Sequence, residues 1–91
     1  MNLMERRIKI LEEVLNREVD KQYELEVGIE IKELMLIENP EHEQAPKLEQ
    51  IITQEKFMLE NQKQAINILD RKLSDLRMEY KATQPHGTLE V

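Results

Sequence analysis

The sequence predicts an all-α fold: an antiparallel, coiled-coil-like hairpin of two helices, which we expect to assemble into a dimeric four-helix bundle. Two blocks, about 3–38 and about 47–82, repeat apolar side chains at alternating spacings of three and four residues. The composition favours long helices over sheets, with two Gly, three Pro, 3% aromatic and 35% charged residues. At 91 residues the chain suffices for one small domain, which we assign to residues 1–91.

The first helix, about 3–38, has one apolar seam, the line of side chains that packs on a partner helix. This seam consists of Met4, Ile8, Leu11, Leu15, Glu18, Gln22, Leu25, Ile29, Lys32 and Leu36. The loop, residues 39–46, reads NPEHEQAP and is bounded by Pro40 and Pro46. A helix cannot continue through it, because Pro lacks the backbone N–H and restricts the residue before it.

The second helix, about 47–82, has a seam of the same period. It consists of Leu48, Ile52, Glu55, Leu59, Gln62, Ile66, Leu69, Leu73, Leu76 and Tyr80. Residues 83–91 contain Pro85 and Gly87 and show no periodicity, so we expect a flexible tail.

The two seams also predict a register. In an antiparallel hairpin the numbers of facing residues add to a constant, about 84 here because the loop is centred near residue 42. Six of the ten seam pairs are then apolar on both sides, and Gln22 faces Gln62. We expect these two amides to form a buried polar layer that fixes the register. Beside the seam, Glu5 faces Arg77 and Glu26 faces Lys56, with complementary charges.

Residues 23–31, YELEVGIEI, alternate apolar and polar positions like a strand. A helix explains the alternation if it carries a second apolar stripe on the face turned away from the other helix. We call this set the outer stripe: Tyr23, Val27, Ile31, Leu34 and Ile37. We expect a second copy of the chain to cover it. The alternative is an α-β-α chain with an intermolecular two-stranded ribbon at 23–31.

The charge is unevenly distributed. Residues 23–49 carry eight acidic and two basic groups, which accounts for the whole net charge of −6. This acidic, apolar half next to the loop is also a candidate site for a different protein. Basic residues gather at the opposite, open end: Arg6, Arg7, Lys9, Arg71, Lys72, Arg77 and Lys81. They make a nucleic-acid-binding accessory protein the alternative function.

Few residues indicate chemistry. The chain has no Cys, and it has no nucleotide-binding loop or metalloprotease motif. His42 beside Glu38 is the one pair that suggests a metal-assisted or phosphatase-like enzyme, the least favoured alternative. We predict no catalytic, cofactor-binding or metal-binding residue. The lack of Cys and of long apolar runs predicts a cytoplasmic protein without a membrane segment.

The sequence thus predicts a small non-enzymatic protein–protein interaction module, an adaptor, regulator or inhibitor. We expect it to self-associate, most simply as a homodimer, through the outer stripe of the first helix.

Overall fold

The computed structural model describes residues 2–83 as two helices, α1 (Leu3–Glu38) and α2 (Ala45–Thr83). They pack against each other as an antiparallel pair, so the predicted all-α hairpin is confirmed. The alternative with a strand at 23–31 is wrong, because this segment is helical throughout. Of the predicted flexible tail, residues 84–91 lie outside the described part of the chain.

A capping box begins α1. The side chain of Asn2 accepts a hydrogen bond from the Glu5 N–H at 2.8 Å, and the Glu5 carboxylate accepts from the Asn2 N–H at 3.5 Å. These contacts satisfy backbone donors that have no partner within the helix. At the other end Asn39 is the C-cap, and its N–H donates to the Met35 carbonyl at 3.0 Å.

The loop turns the chain through local hydrogen bonds. The His42 N–H donates to the Asn39 carbonyl at 3.2 Å, and the His42 carbonyl accepts from the Ala45 N–H at 2.9 Å. The first helical bond of α2 follows, from the Leu48 N–H to the Gln44 carbonyl. Pro46 lies in the first turn of α2, where its missing N–H has no helical partner to lose. The helix thus begins at Ala45, two residues before the predicted start.

The core between the helices is thin. Its buried residues are Ile29, Ala45, Ile52, Leu73 and Leu76. No polar or charged side chain is buried in the described part of the chain. Two helices form only one layer and cannot enclose a core, so most other seam residues remain half-exposed. Neither of the two helices is apolar enough over a sufficient length to cross a membrane.

Two ion pairs beside the seam show how the helices are aligned. Arg77 bonds to Glu12 through Nη2 and Oε2, and Lys56 Nζ lies 3.0 Å from Glu33 Oε2. The residue numbers in each pair add to 89. These partners differ from the pairs that faced each other in the predicted register, by one heptad on α1 in both cases.

The direction of side chains along a helix explains the difference. Helical side chains lean towards the N-terminus of their own helix. In an antiparallel pair, the side chains of Glu12 and Arg77 therefore lean towards each other. Those of Glu5 and Arg77 lean apart, although their Cα atoms lie at similar heights. Long side chains beside the seam therefore meet when their residue numbers add to more than about 84, the sum for residues at equal height on the two helices.

Candidate interaction surface

The outer stripe lies on the exposed face of α1. Its five side chains are between 53% and 73% exposed, with Ile37 the most exposed. Helical spacing places them within one broad arc opposite the seam, so α2 does not cover them. The stripe is therefore an exposed row of apolar side chains, interrupted by Glu30, in the half of the hairpin next to the loop.

Carboxylates border this stripe. Glu24, Glu30 and Glu38 are exposed, and none of them takes part in an ion pair among residues 2–83. Two other acidic neighbours are engaged within the chain. Glu33 pairs with Lys56, and Glu26 accepts a hydrogen bond from Gln22 Nε2 at 2.9 Å. The border therefore retains negative charge that is free to meet a partner.

The predicted amide layer has a different set of hydrogen bonds. Gln22 and Gln62 are both half-buried, but Gln62 Nε2 donates to Glu18, to its carbonyl at 2.7 Å and to Oε1 at 3.0 Å. Helical carbonyls point towards the C-terminus, so that of Glu18 lies near the height of Gln22. The signal that the sequence offered was Glu18 itself, a seam residue one turn before Gln22.

The hydrogen bonds of Glu18 also change its proton affinity. The Lys21 ammonium, 3.0 Å from its carboxylate, and then the Gln62 amide hold the pKa of Glu18 below its ordinary value. Partial loss of hydration acts in the opposite direction and is smaller than either hydrogen bond. Glu18 therefore links the two helices as a carboxylate.

A second polar contact crosses the seam nearer the loop. Lys32 Nζ donates to both carboxylate oxygens of Glu55, at 2.8 and 3.0 Å. Sequence reasoning placed each of these residues opposite an isoleucine and missed their contact. Both side chains are less than one-third exposed, so this pair is better shielded from water than the flanking pairs. The signal in the sequence was that Lys32 and Glu55 are seam residues of opposite charge, and that Glu55 faces Ile29, one turn before Lys32 on α1.

The basic residues of the open end are all exposed. They are distributed around the rod instead of forming one face, and Arg77 already pairs with Glu12. This arrangement lacks the dense cationic surface that phosphate binding usually needs.

The loop histidine is occupied by a local contact. His42 Nδ1 accepts a hydrogen bond from the Gln44 N–H at 3.0 Å, and this bond helps to shape the turn. Across residues 2–83 the structure has no group of three or more His, Asp or Glu side chains placed to hold a metal ion.

No protein-family model, curated protein sequence or solved structure matches this chain. Its function is therefore inferred from geometry alone.

Proposed function

We propose that the chain is a small non-enzymatic protein–protein interaction module, of the adaptor, regulator or inhibitor kind, and that it works as a self-associated assembly. The balance of exposed and buried apolar side chains carries this proposal. Twelve large apolar side chains in the described part are more than half exposed, whereas five apolar residues are buried. Exposed apolar side chains in this number on a small protein are typical of an interaction site.

A second layer of helices would remove part of this surface from water. An amphipathic helix needs another element against its apolar stripe, and this hairpin supplies only one layer. A second copy presents the same apolar surface, and twofold dimers are the commonest closed assemblies. Covering a half-exposed Val, Leu or Ile contributes about 1 kcal/mol, so several such residues together stabilise a dimer.

The solution mass tests self-association directly. Light scattering between about 1 µM and 1 mM should give twice the chain mass of 10.9 kDa over the upper part of that range. The 10.9 kDa mass at every concentration would overturn the proposal.

A charged substitution locates the surface. Ile31→Glu should yield a monomer that stays helical by circular dichroism, because Ile31 is exposed and outside the seam. Gln64→Glu is the matched control. It adds the same charge to an exposed polar position of α2 and should leave the mass unchanged.

A further inference from the structure

The hairpin has two long edges of opposite character. The ion-paired edge contains the contacts of Glu12 with Arg77 and of Glu33 with Lys56. Between Leu48 and Thr83, each α2 position that heptad spacing places on this edge is polar or charged. Long charged side chains therefore close the seam along this side.

The other edge combines apolar residues of both helices with charged ones, and we call it the apolar edge. Its charged residues include Arg7, Arg17, Lys21, Glu24 and Glu38 of α1 and Lys47, Lys72, Asp75 and Glu79 of α2. Heptad spacing places on it Leu3, Ile10, Val14, Gly28, Ile31 and Met35 from α1, and Ile51, Met58, Ala65 and Ile68 from α2. Six of these side chains are more than half exposed.

Surface clefts show that the two helices meet along the apolar edge. Met35 and Ile51 line one cleft, and Gly28 and Met58 line the next. The residue numbers in both pairs add to 86, close to the predicted sum of about 84, and we use 86 as the approximate register of this edge. A third cleft, towards the open end, includes Ile10. The apolar edge is thus a surface shared by both helices, whereas the outer stripe belongs to α1 alone.

We infer that a second copy covers the apolar edge in antiparallel orientation, with the loop of one hairpin beside the open end of the other. This inference rests on the proposed function and specifies its surface. The contact includes Ile31 and leaves the remaining residues of the outer stripe outside it.

Charge and apolar pattern on α1 select this orientation. Consider two copies of α1 that run antiparallel, with facing residue numbers that add to 45. In this pairing the apolar side chains Ile10, Val14, Ile31 and Met35 each face another apolar side chain. The pairs are Ile10 with Met35 and Val14 with Ile31, Arg7 with Glu38 and Lys21 with Glu24, and finally Arg17 with Gly28. Glu24 and Glu38, which have no ion pair within the described chain, gain basic partners in this way.

The pattern on α2 is partly compatible with the same twofold axis. The α1 pairing places the twofold axis between residues 22 and 23. With a register of 86, the α2 residues beside these two are 64 and 63. Facing α2 residues then add to about 127, and 126 is the nearest sum that sets edge positions against edge positions. This sum pairs Met58 with Ile68 and Lys47 with Glu79. Two pairs do not match, because Ile51 faces Asp75 and Ala65 faces Asn61.

Other arrangements fit less well. Sliding one copy of α1 by a heptad brings Arg7 opposite Ile31, or in the other direction Val14 opposite Glu38. Placing the two loops side by side pairs α1 with α2 of the other copy and sets Val14 against Lys72. Each alternative sets a charged residue against an aliphatic side chain of α1, which is unfavourable and which the inferred pairing of α1 avoids.

Cysteine cross-linking tests the geometry, because the chain has no Cys of its own. The double variant Val14→Cys/Ile31→Cys should form disulfide-linked dimers under mild oxidation, in high yield. Each single variant should not, since Val14 of one copy lies far from Val14 of the other. A link within one chain is excluded, because the two positions are about 25 Å apart along α1.

A second double variant makes the outcomes distinguishable. Val27→Cys/Leu34→Cys tests direct packing of two outer stripes and should remain uncross-linked. Cross-linking of this variant, with none for Val14→Cys/Ile31→Cys, would overturn the inference while retaining self-association. A dimeric wild type in which neither pair cross-links would also overturn it. A monomeric wild type would overturn the proposed function as well.

Discussion

Gly28 provides the most direct test of the packing that this fold implies. It lies inside α1 with ordinary helical backbone, and its φ is not positive. A Cβ atom added at Gly28 would meet only Lys32 Nζ, at 3.6 Å, an ordinary van der Waals contact. Met58, which lines the same cleft, does not come within 4 Å of that position. Gly28→Ala therefore has room without any rearrangement.

The expected gain follows from helix propensity. Gly is about 0.8–1.0 kcal/mol less favourable than Ala in a helix interior, chiefly because it has more freedom to lose on folding. With no steric cost to subtract, Gly28→Ala should raise the free energy of unfolding by about 1 kcal/mol. For a chain of this size the corresponding rise in Tm is about 4–8 °C.

Thermal and urea unfolding followed by circular dichroism measure this gain. Both should be repeated at several protein concentrations, because association also raises the Tm. Ala65→Gly is the matched control. Ala65 is half-buried on the same edge of α2 and should lose about 1 kcal/mol on substitution. A lower Tm for Gly28→Ala at all concentrations would refute the assigned space around Gly28.

Three further predictions concern individual polar contacts. Lys32→Ala should lower the free energy of unfolding by about 1–2 kcal/mol, against about 0–1 kcal/mol for the more exposed Arg77→Ala. Equal losses in urea unfolding would contradict this order. Because the folded-state pKa of Glu18 is depressed, its contribution is complete above the pKa of the unfolded chain and is lost as the pH falls through the folded-state pKa. Glu18→Gln should therefore flatten the acid side of a stability–pH curve, and an unchanged slope would argue against the contact. Asn2→Ala should cost about 0.5–2 kcal/mol by removing the cap of α1, while Asn2→Asp should keep most of the stability.

Heptad spacing was sufficient to predict the hairpin, because helix seams depend only on which positions are apolar. The partners of polar side chains were not predictable in the same way. The predicted register compared residues at equal heights, whereas Lys32 reaches Glu55 and Arg77 reaches Glu12 because helical side chains lean. Gln62 bonds partly to a backbone carbonyl, for which a side-chain pattern carries no signal.

The sequence alone does not indicate the apolar edge, for another reason. Counting apolar residues on α1 alone draws attention to the outer stripe, since its members are numerous and exposed. The apolar edge becomes visible only when residues of both helices are assigned to one side of the seam, as Gly28 and Met58 are by the cleft that they share. That assignment needs the register, which the structure supplies.

The polar contacts of the seam and the apolar edge depend on each other through this register. If α2 slipped by one heptad, Lys32 would face Leu48 and Glu55 would face Leu25, leaving two half-buried charges without partners. The same slip would shift α2 along its own length, past the inferred twofold axis. Met58 would then face Gln54 of the other copy instead of Ile68. A single polar pair such as Lys32 with Glu55 adds little apolar contact to the hairpin. By excluding the slipped register, it keeps the apolar residues of α2 opposite those that a second copy presents.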